Sequence, residues 1–375
     1  MATETRLLVP PLFGGPPITR LNVSAFRIPT DSPESDGTFA WTSTTLVLVE
    51  VHSDNKTGIG FSYADTATAR LIHDVLAGVV IGCDAFSVGY CWNAMVGAIR
   101  NLGRPGICSM AIAAVDNALW DLKAQILERP LASLLGQVRA SVPAYGSGGF
   151  TSYPIAVLQE QLGGWISQGF SRVKMKIGRE PEKDLGRVHA AREAIGPTSE
   201  LFVDANGAYS RKQALAMAEA FAEAGVSWFE EPVSSDDLKG LRLIRDRAPA
   251  GIDISAGEYG YDSGYFRRML EAGAVDVLQA DATRCAGITG FLQAATLCQA
   301  FQVPLSSHCA PSIHVHPCCA ASPVRHLEYF YDHARIEPML FEGTLTPVNG
   351  ELTPDLSRPG LGLTFKRKDA SRYEV

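Results

Sequence analysis

From about residue 140 the sequence settles into a single period: a short β-rich run, then an amphipathic helical segment, repeated as far as residue 330. The runs are "SVPAYGS" (141–147), "RVKMKI" (172–177), "LFVDAN" (201–206), "SWFEEP" (227–232), "IDISAGE" (252–258), "VDVLQAD" (275–281), "VPLSSH" (303–308) and "HLEYF" (326–330). Segments such as "SRKQALAMAEAFAEAG" (210–225) and "GYFRRMLEAGA" (264–274) fit helices between them. Eight strands in βα alternation predict an α/β chain closed as a parallel barrel, with an open doubly wound sheet as the lesser alternative. No helix is evident after the eighth run.

What precedes the barrel has another character. "ITRLNVSAFRIP" (18–29), "STTLVLVEVHS" (43–53) and "TGIGFSYA" (57–64) alternate like strands of a meander. "TDSPESDGTFAWT" (30–42) is polar and broken by Gly and Pro, which predicts a mobile loop. Helical periodicity follows at 66–82 and in "ICSMAIAAVDNALWDLKAQILE" (107–128). The expected division is an α+β unit over 1–137, a barrel over 138–343, and a Pro/Gly-rich segment over 344–375 that returns to the first unit.

The strand ends carry the chemistry. Asp204, Glu230, Glu258, Asp281, His308 and Glu328 each fall at or near one, at intervals of 26, 28, 23, 27 and 20 residues. In a parallel barrel those ends converge on one mouth, where active sites lie. A lone acid at a strand end is more often a cap than a ligand, but six ionisable groups on consecutive strands form a ring around one cavity. Asp204, Glu230 and Glu258 make a hard oxygen site suited to Mg²⁺. Alternation puts Asp204 on a face with Phe202 and Asn206, and Glu230 with Trp228; Glu231 is expected to face outward. Lys174 and Lys176 share one face of the neighbouring strand. A metal and a second cation would depress an amine's pKa and leave Lys176 available as a base.

Taken in order, "KMK", "VDAN", "FEEP", "GE", "DATRCAGITG", "SSH" and "LE" resemble the enolase superfamily, mandelate racemase subgroup, and the likeness extends over the whole chain to the "RPGLGL" tail. The resemblance implies a modified (β/α)7β TIM barrel under an α+β capping domain. It also implies Mg²⁺ bound by Asp204, Glu230 and Glu258, with Lys176 as base on one face of a small carboxylate substrate. Lys174 would lower the pKa of Lys176. His308 would be the acid/base on the opposite face, oriented by Asp281, and Glu328 would hydrogen-bond the substrate carboxylate. Asn206 and Arg284 match lining positions. The implied reaction is removal of the proton α to a carboxylate, most simply in the dehydration of an acid sugar. Racemisation and cycloisomerisation use the same groups, and a silent binding barrel is the distant alternative. A homo-oligomer, from dimer to octamer, is implied as well.

Other features narrow the field. A net charge of −7, with no Lys/Arg-rich run, argues against a nucleic-acid partner. The longest apolar run, "VLAGVVIGC" (75–83), is too short for a bilayer. "MATETRLLVPPLFGGPP" has no leader-like apolar core, and eight cysteines without a CxxC pair read as reduced thiols in a cytoplasmic protein. "HVHPCC" (314–319) lacks zinc-site spacing and is assigned to helix packing, and "GLGL" lacks the strand–turn–helix of a nucleotide site. Cys285 and Cys309 are expected to be small buried neighbours of the site. Tyr63, Phe39 and Trp41 are candidates for lid contacts.

Overall fold

The computed structural model describes residues 14–375. Residues 1–13, which hold most of the stretch expected to lack a leader, lie outside the described residues. Strands β1 (Arg20–Ser35), β2 (Ala40–Ser53) and β3 (Lys56–Tyr63) form an antiparallel sheet in that order. Both faces of β2 are buried, which accounts for its unbroken apolar run. Val47, Val49 and Val51 pack on the cap's own helices, while Leu46 and Leu48 pack toward the barrel. Helix Ile107–Ile126 lies so close to β3 that a Cβ at Gly58 or Gly60 would overlap its backbone.

Residues 30–42 are largely paired strand where a loop was expected. After a register shift between Pro29 and Glu34, Glu34 pairs with Trp41 and Ser35 with Ala40, so the hairpin runs on almost to its tip. Its polar groups find barrel partners: Ser35 Oγ lies 2.6 Å from Thr151 Oγ1, and Ser152 Oγ donates to the Pro33 carbonyl at 2.8 Å. Docking buries Glu34, Ser35 and Asp36, while residues 31–33 and 38–40 stay exposed.

Two buried carboxyls on helix Ile107–Ile126 join cap to barrel and tail. Asp116 accepts the Thr289 N–H at 2.9 Å, and Asp121 accepts the N–H groups of Ile59 and Leu361, both at 2.7 Å. Burial pushes each up to about 7. A carboxyl raised on folding contributes stability that is full below its unfolded value, near 4, and lost as pH rises through 7. The Asp116→Asn variant keeps both partners, because an amide accepts from the Thr289 N–H and donates to its hydroxyl. It is expected to gain on the wild type between pH 5 and 8, with a slope of at most about 1.4 kcal/mol per pH unit. Denaturant unfolding at the two ends of that range checks this, and parallel curves would refute it.

The barrel strands are β4 (Val142–Gly148), β5 (Arg172–Lys176), β6 (Glu200–Asp204), β7 (Val226–Glu230), β8 (Asp253–Ala256), β9 (Val277–Ala280), β10 (Leu305–Ser307) and β11 (Val324–Phe330). All neighbours are parallel and β11 pairs with β4, Leu327 opposite Ala144, so the sheet closes. Two helices are additional: Val88–Ala98 in the cap, and Tyr331–Leu340, which follows the eighth strand. The buried face of Tyr331–Leu340 interleaves Ile336 and Leu340 with Asp332, His333 and Glu337, and Pro338 lies inside it, so its apolar stripe is broken. The last segment threads both units. Glu351–Leu352 pairs antiparallel with β4, the Phe365 ring packs tilted on Phe26 at 5.5 Å, and Val375 N–H donates to the Ala25 carbonyl at 3.0 Å.

Candidate active site

Strand alternation builds the barrel interior in two layers. Below lie Tyr145, Phe202 and Trp228, with Phe202 stacked on Trp228 at 5.2 Å and His326 against both. Two residues further along the same strands come Ser147, Asp204 and Glu230, and Glu328 stands two beyond His326. Register aligns Lys174 with Phe202, Lys176 with Asp204 and Asp204 with Glu230. The aromatic layer is a dry floor beneath the charged one.

On that floor, ligand oxygens of Asp204, Glu230 and Glu258 lie within 4.8 Å of one another. Lys174 Nζ sits 2.6 Å from Glu230 Oε1, 2.8 Å from Glu328 Oε1 and 3.7 Å from Asp204 Oδ2, and Lys176 pairs with Asp204. Glu230 also accepts from Trp228 Nε1 at 3.0 Å and Gln279 Nε2 at 2.9 Å. Burial pushes Glu230 well up, and Asp204 beside it adds to the rise. Burial also acts to raise Asp204, but Lys176 and Lys174 outweigh it and hold that carboxyl low. Lys176 is not depressed in this arrangement: burial lowers it, yet the Asp204 carboxylate more than compensates and its pKa rises, while Lys174 pulls it down as expected.

The other wall carries His308, whose Nδ1 lies 2.8 Å from Asp281 Oδ2. Asp281 is fixed in turn, accepting the N–H of Thr283 at 2.6 Å and its hydroxyl at 2.7 Å. Burial would raise Asp281, but the histidine holds it well below the usual carboxylate range. His308 Nε2 is left facing Glu258 Oε2 at 3.4 Å, Cys309 Sγ at 3.3 Å and Glu328 Oε2 at 3.9 Å. Glu328 accepts from Ser147 Oγ at 2.6 Å and from the Cys309 N–H at 2.8 Å. Burial acts to raise it, Lys174 overrides this, and its pKa lies well below the ordinary value. Glu328 is therefore an acceptor here, and a hydrogen bond from it to a substrate carboxylate would first require a proton.

These groups open on a cavity of about 490 Å³. Lys176, Asn206, Glu258, Asp281, Arg284 and His308 line it from the barrel, and Phe39, Trp41 and Tyr63 from the cap. Lys174, Asp204, Glu230 and Glu328 stand behind that lining, buried. Arg284 Nη1 is held by Glu258 Oε1 at 3.1 Å, Trp41 Nε1 donates to Glu34 Oε2 at 2.8 Å, and Tyr63 stacks on His333. Glu231 does not face outward. It is buried beside Glu258, because the chain leaves β7 with a left-handed φ of 38° and alternation stops there. Sequence reasoning also missed Asp36, Thr283 and His333 in the lining. Thr283 follows Asp281 by two residues and had a capping signal; His333 lies in the unread helix and had none. His314 fulfils the packing role, accepting the Ala282 N–H at 2.8 Å.

Comparison with known proteins fits this geometry. Residues 25–136 match the mandelate racemase / muconate lactonizing enzyme N-terminal domain, and residues 157–370 match the enolase C-terminal domain-like model. A mandelate racemase/muconate lactonizing enzyme-like protein from Rubrobacter xylanophilus is 57% identical, with TM-score 0.94 over 96% of this chain and 100% of that one. The 3,6-anhydro-α-L-galactonate cycloisomerase of Streptomyces coelicolor is 32% identical over 365 residues, 93% of this chain and 98% of that protein. L-Talarate/galactarate dehydratase from Salmonella typhimurium LT2, in a structure liganded with Mg and L-lyxarohydroxamate, is 28% identical with TM-score 0.88, covering 96% and 94% of the two chains. Family models spanning both the cap and the barrel leave one assignment: this chain belongs to the mandelate racemase and muconate lactonizing enzyme family of the enolase superfamily.

Proposed function

We propose that this chain removes the proton α to the carboxylate of an acid sugar, an aldonate or aldarate. The oxygen on the next carbon is then expelled, giving a 2-keto-3-deoxy acid. The observation that carries this reading is the disposition of Lys176 and the His308–Asp281 pair about one cavity, over the trio Asp204, Glu230 and Glu258. Three buried carboxylates in reach of one another suit a hard divalent cation, and Glu258 Oε2 is buried without a hydrogen-bond partner. Mg²⁺ in that trio would supply the positive charge that makes a second negative charge on the substrate carboxylate tolerable.

The protein's own groups do the rest. Lys176 takes the α proton. Asp204 is the group that holds a proton on Lys176, so the strength of this base depends on how far the charge of Asp204 is engaged elsewhere. Lys174 stays cationic beneath the site and offsets developing negative charge. Asp281 accepts at Nδ1, which leaves Nε2 as the atom of His308 that delivers a proton to the departing oxygen. Strands two and seven of the closed sheet carry the two groups, separated by two strands one way and four the other. Asp36, Ser43, Thr44 and Thr45 line the cap side, a hydroxyl- and carboxylate-rich surface fitted to a hydroxylated chain.

An oxygen that leaves as water makes the reaction a dehydration, whereas one tethered in a ring stays in the product and makes it a cycloisomerisation. The cycloisomerase relative is the observation that favours the second form. Incubating the Mg²⁺-loaded protein with aldonates, aldarates and their anhydro and lactone forms tests both: a 2-keto acid one water lighter than substrate, or of equal mass. No keto acid from any of them would overturn the reading. Chelation is expected to abolish turnover, and Glu230→Gln to weaken Mg²⁺ binding measured by calorimetry; full activity in excess chelator would remove the metal from the scheme.

A homo-oligomer, checked by light scattering, and a cytoplasmic location belong to the same proposal. Among the described residues no helix is long and apolar enough to cross a membrane.

A further inference from the structure

The mouth of the barrel holds a second group of donors with a different chemistry from the carboxylate trio. His308 Nε2, Cys309 Sγ and a carboxylate oxygen of Glu328 lie within 4.8 Å of one another. Nε2 is 3.3 Å from Sγ and 3.9 Å from Glu328 Oε2. Ligands of a tetrahedral zinc ion, at ordinary Zn–N, Zn–S and Zn–O lengths, stand about 3.4–3.6 Å apart. One pair is short of that spacing by about 0.1 Å and another exceeds it by about half an ångström. Each atom has a lone pair to give. Asp281 occupies the Nδ1 side of His308, fixing Nε2 as the free nitrogen. Glu328 Oε2 takes one hydrogen bond, from the Cys309 N–H, and keeps a second lone pair. Cys309 is held over the cavity by a left-handed turn, with φ of 53° and then 41° at Ala310, and both His308 and Cys309 line that cavity.

We propose that His308, Cys309 and Glu328 form a site for a soft divalent cation, Zn²⁺ in the first instance, distinct from the Mg²⁺ trio, and that its occupation switches the enzyme off. Binding forms an S–Zn bond and releases the thiol proton to solvent, with no change of oxidation state. The donor sets sort the two cations: imidazole and thiolate prefer Zn²⁺, while three carboxylates suit Mg²⁺. Glu258 Oε2 also lies 3.4 Å from Nε2, but it belongs to the carboxylate trio, so the fourth position is assigned to water. Inhibition follows because Nε2 is the atom that must carry a proton to the leaving oxygen, and a lone pair bound to zinc carries none. That consequence rests on the function proposed above; the binding site itself does not.

Two measurements on the full-length, Mg²⁺-loaded protein test the proposal. One equivalent of Zn²⁺ is expected to lower turnover on the order of 10²-fold, the share a positioned general acid supplies. The Cys309→Ala variant, which keeps the backbone N–H to Glu328, should need at least about tenfold more zinc for the same fractional loss of its own zinc-free rate. The second readout needs no turnover. Titration with Co²⁺ in excess Mg²⁺ should give the near-ultraviolet absorption of a cobalt–thiolate bond in the wild type and none in Cys309→Ala. If the acid-sugar reaction is never found, this titration still decides whether the site exists. Inhibition equal in both proteins and relieved by raising Mg²⁺ would mean that zinc merely competes for Asp204, Glu230 and Glu258. That result, or the absence of a thiolate band in the wild type, overturns the proposal.

Discussion

The His308→Asn variant is expected to form no keto acid and yet to exchange the α proton of its substrate with solvent deuterium. Abstraction on the assigned scheme needs Lys176 and the charged layer around it, all of which the variant retains. Expulsion of the β oxygen needs a proton from Nε2, and losing that acid should cost on the order of 10²–10⁴-fold. A proton parked on Lys176 that exchanges before it returns would leave deuterium in recovered substrate, with configuration kept, because it comes back to the face it left. Mass spectrometry and chiral analysis of that substrate read both points. Inverted, deuterated substrate accumulating with the wild type, and no keto acid, would replace elimination by racemisation. A variant showing no exchange would make His308 the abstracting base, and Lys176→Ala would then be the variant that still exchanges.

Lys174→Met is expected to cost about 3–5 kcal/mol of stability when metal is withheld. The ammonium is fully buried within 2.8 Å of both Glu230 and Glu328, and its removal strands two carboxyls over an aromatic floor. Part of the loss should return with Mg²⁺, because a bound cation shares the charge of Glu230 again. Denaturant unfolding of wild type and variant, in chelator and in Mg²⁺, gives the four values required. Equal stability of the two in chelator would show that Lys174 is not the counter-charge of this layer.

The carboxylate ring was legible because strand alternation is strict while a strand lasts. Phe202 and Asp204, or Trp228 and Glu230, must share a face, and a run of strand ends must meet at one mouth. The same rule misplaced Glu231, one residue past the strand, where a left-handed turn sets the side chain instead. Residues 30–42 and helix Tyr331–Leu340 were misread for a related reason. Polar side chains in both are buried against polar partners: Ser35 with Thr151, Glu34 with Trp41, Asp332 with Thr44. Hydropathy marks burial only when apolar residues do the burying. Nor could alternation reveal the charge state of Lys176, which depends on what else shares Asp204.

The return of residues 365–375 to strand β1 has a consequence for how the molecule is made. The edge strand of the cap's sheet is made before the barrel, but the partners of Ala25 and Phe26 at Glu374 and Val375, and the ring of Phe365 beside Phe26, are made after it. The Leu361 N–H that Asp121 accepts also arrives late. While the barrel is being synthesised, the lid above its mouth has an unfinished edge. Its completion has to follow synthesis of the barrel, and the site acquires its finished roof only when the tail closes over a strand made before it.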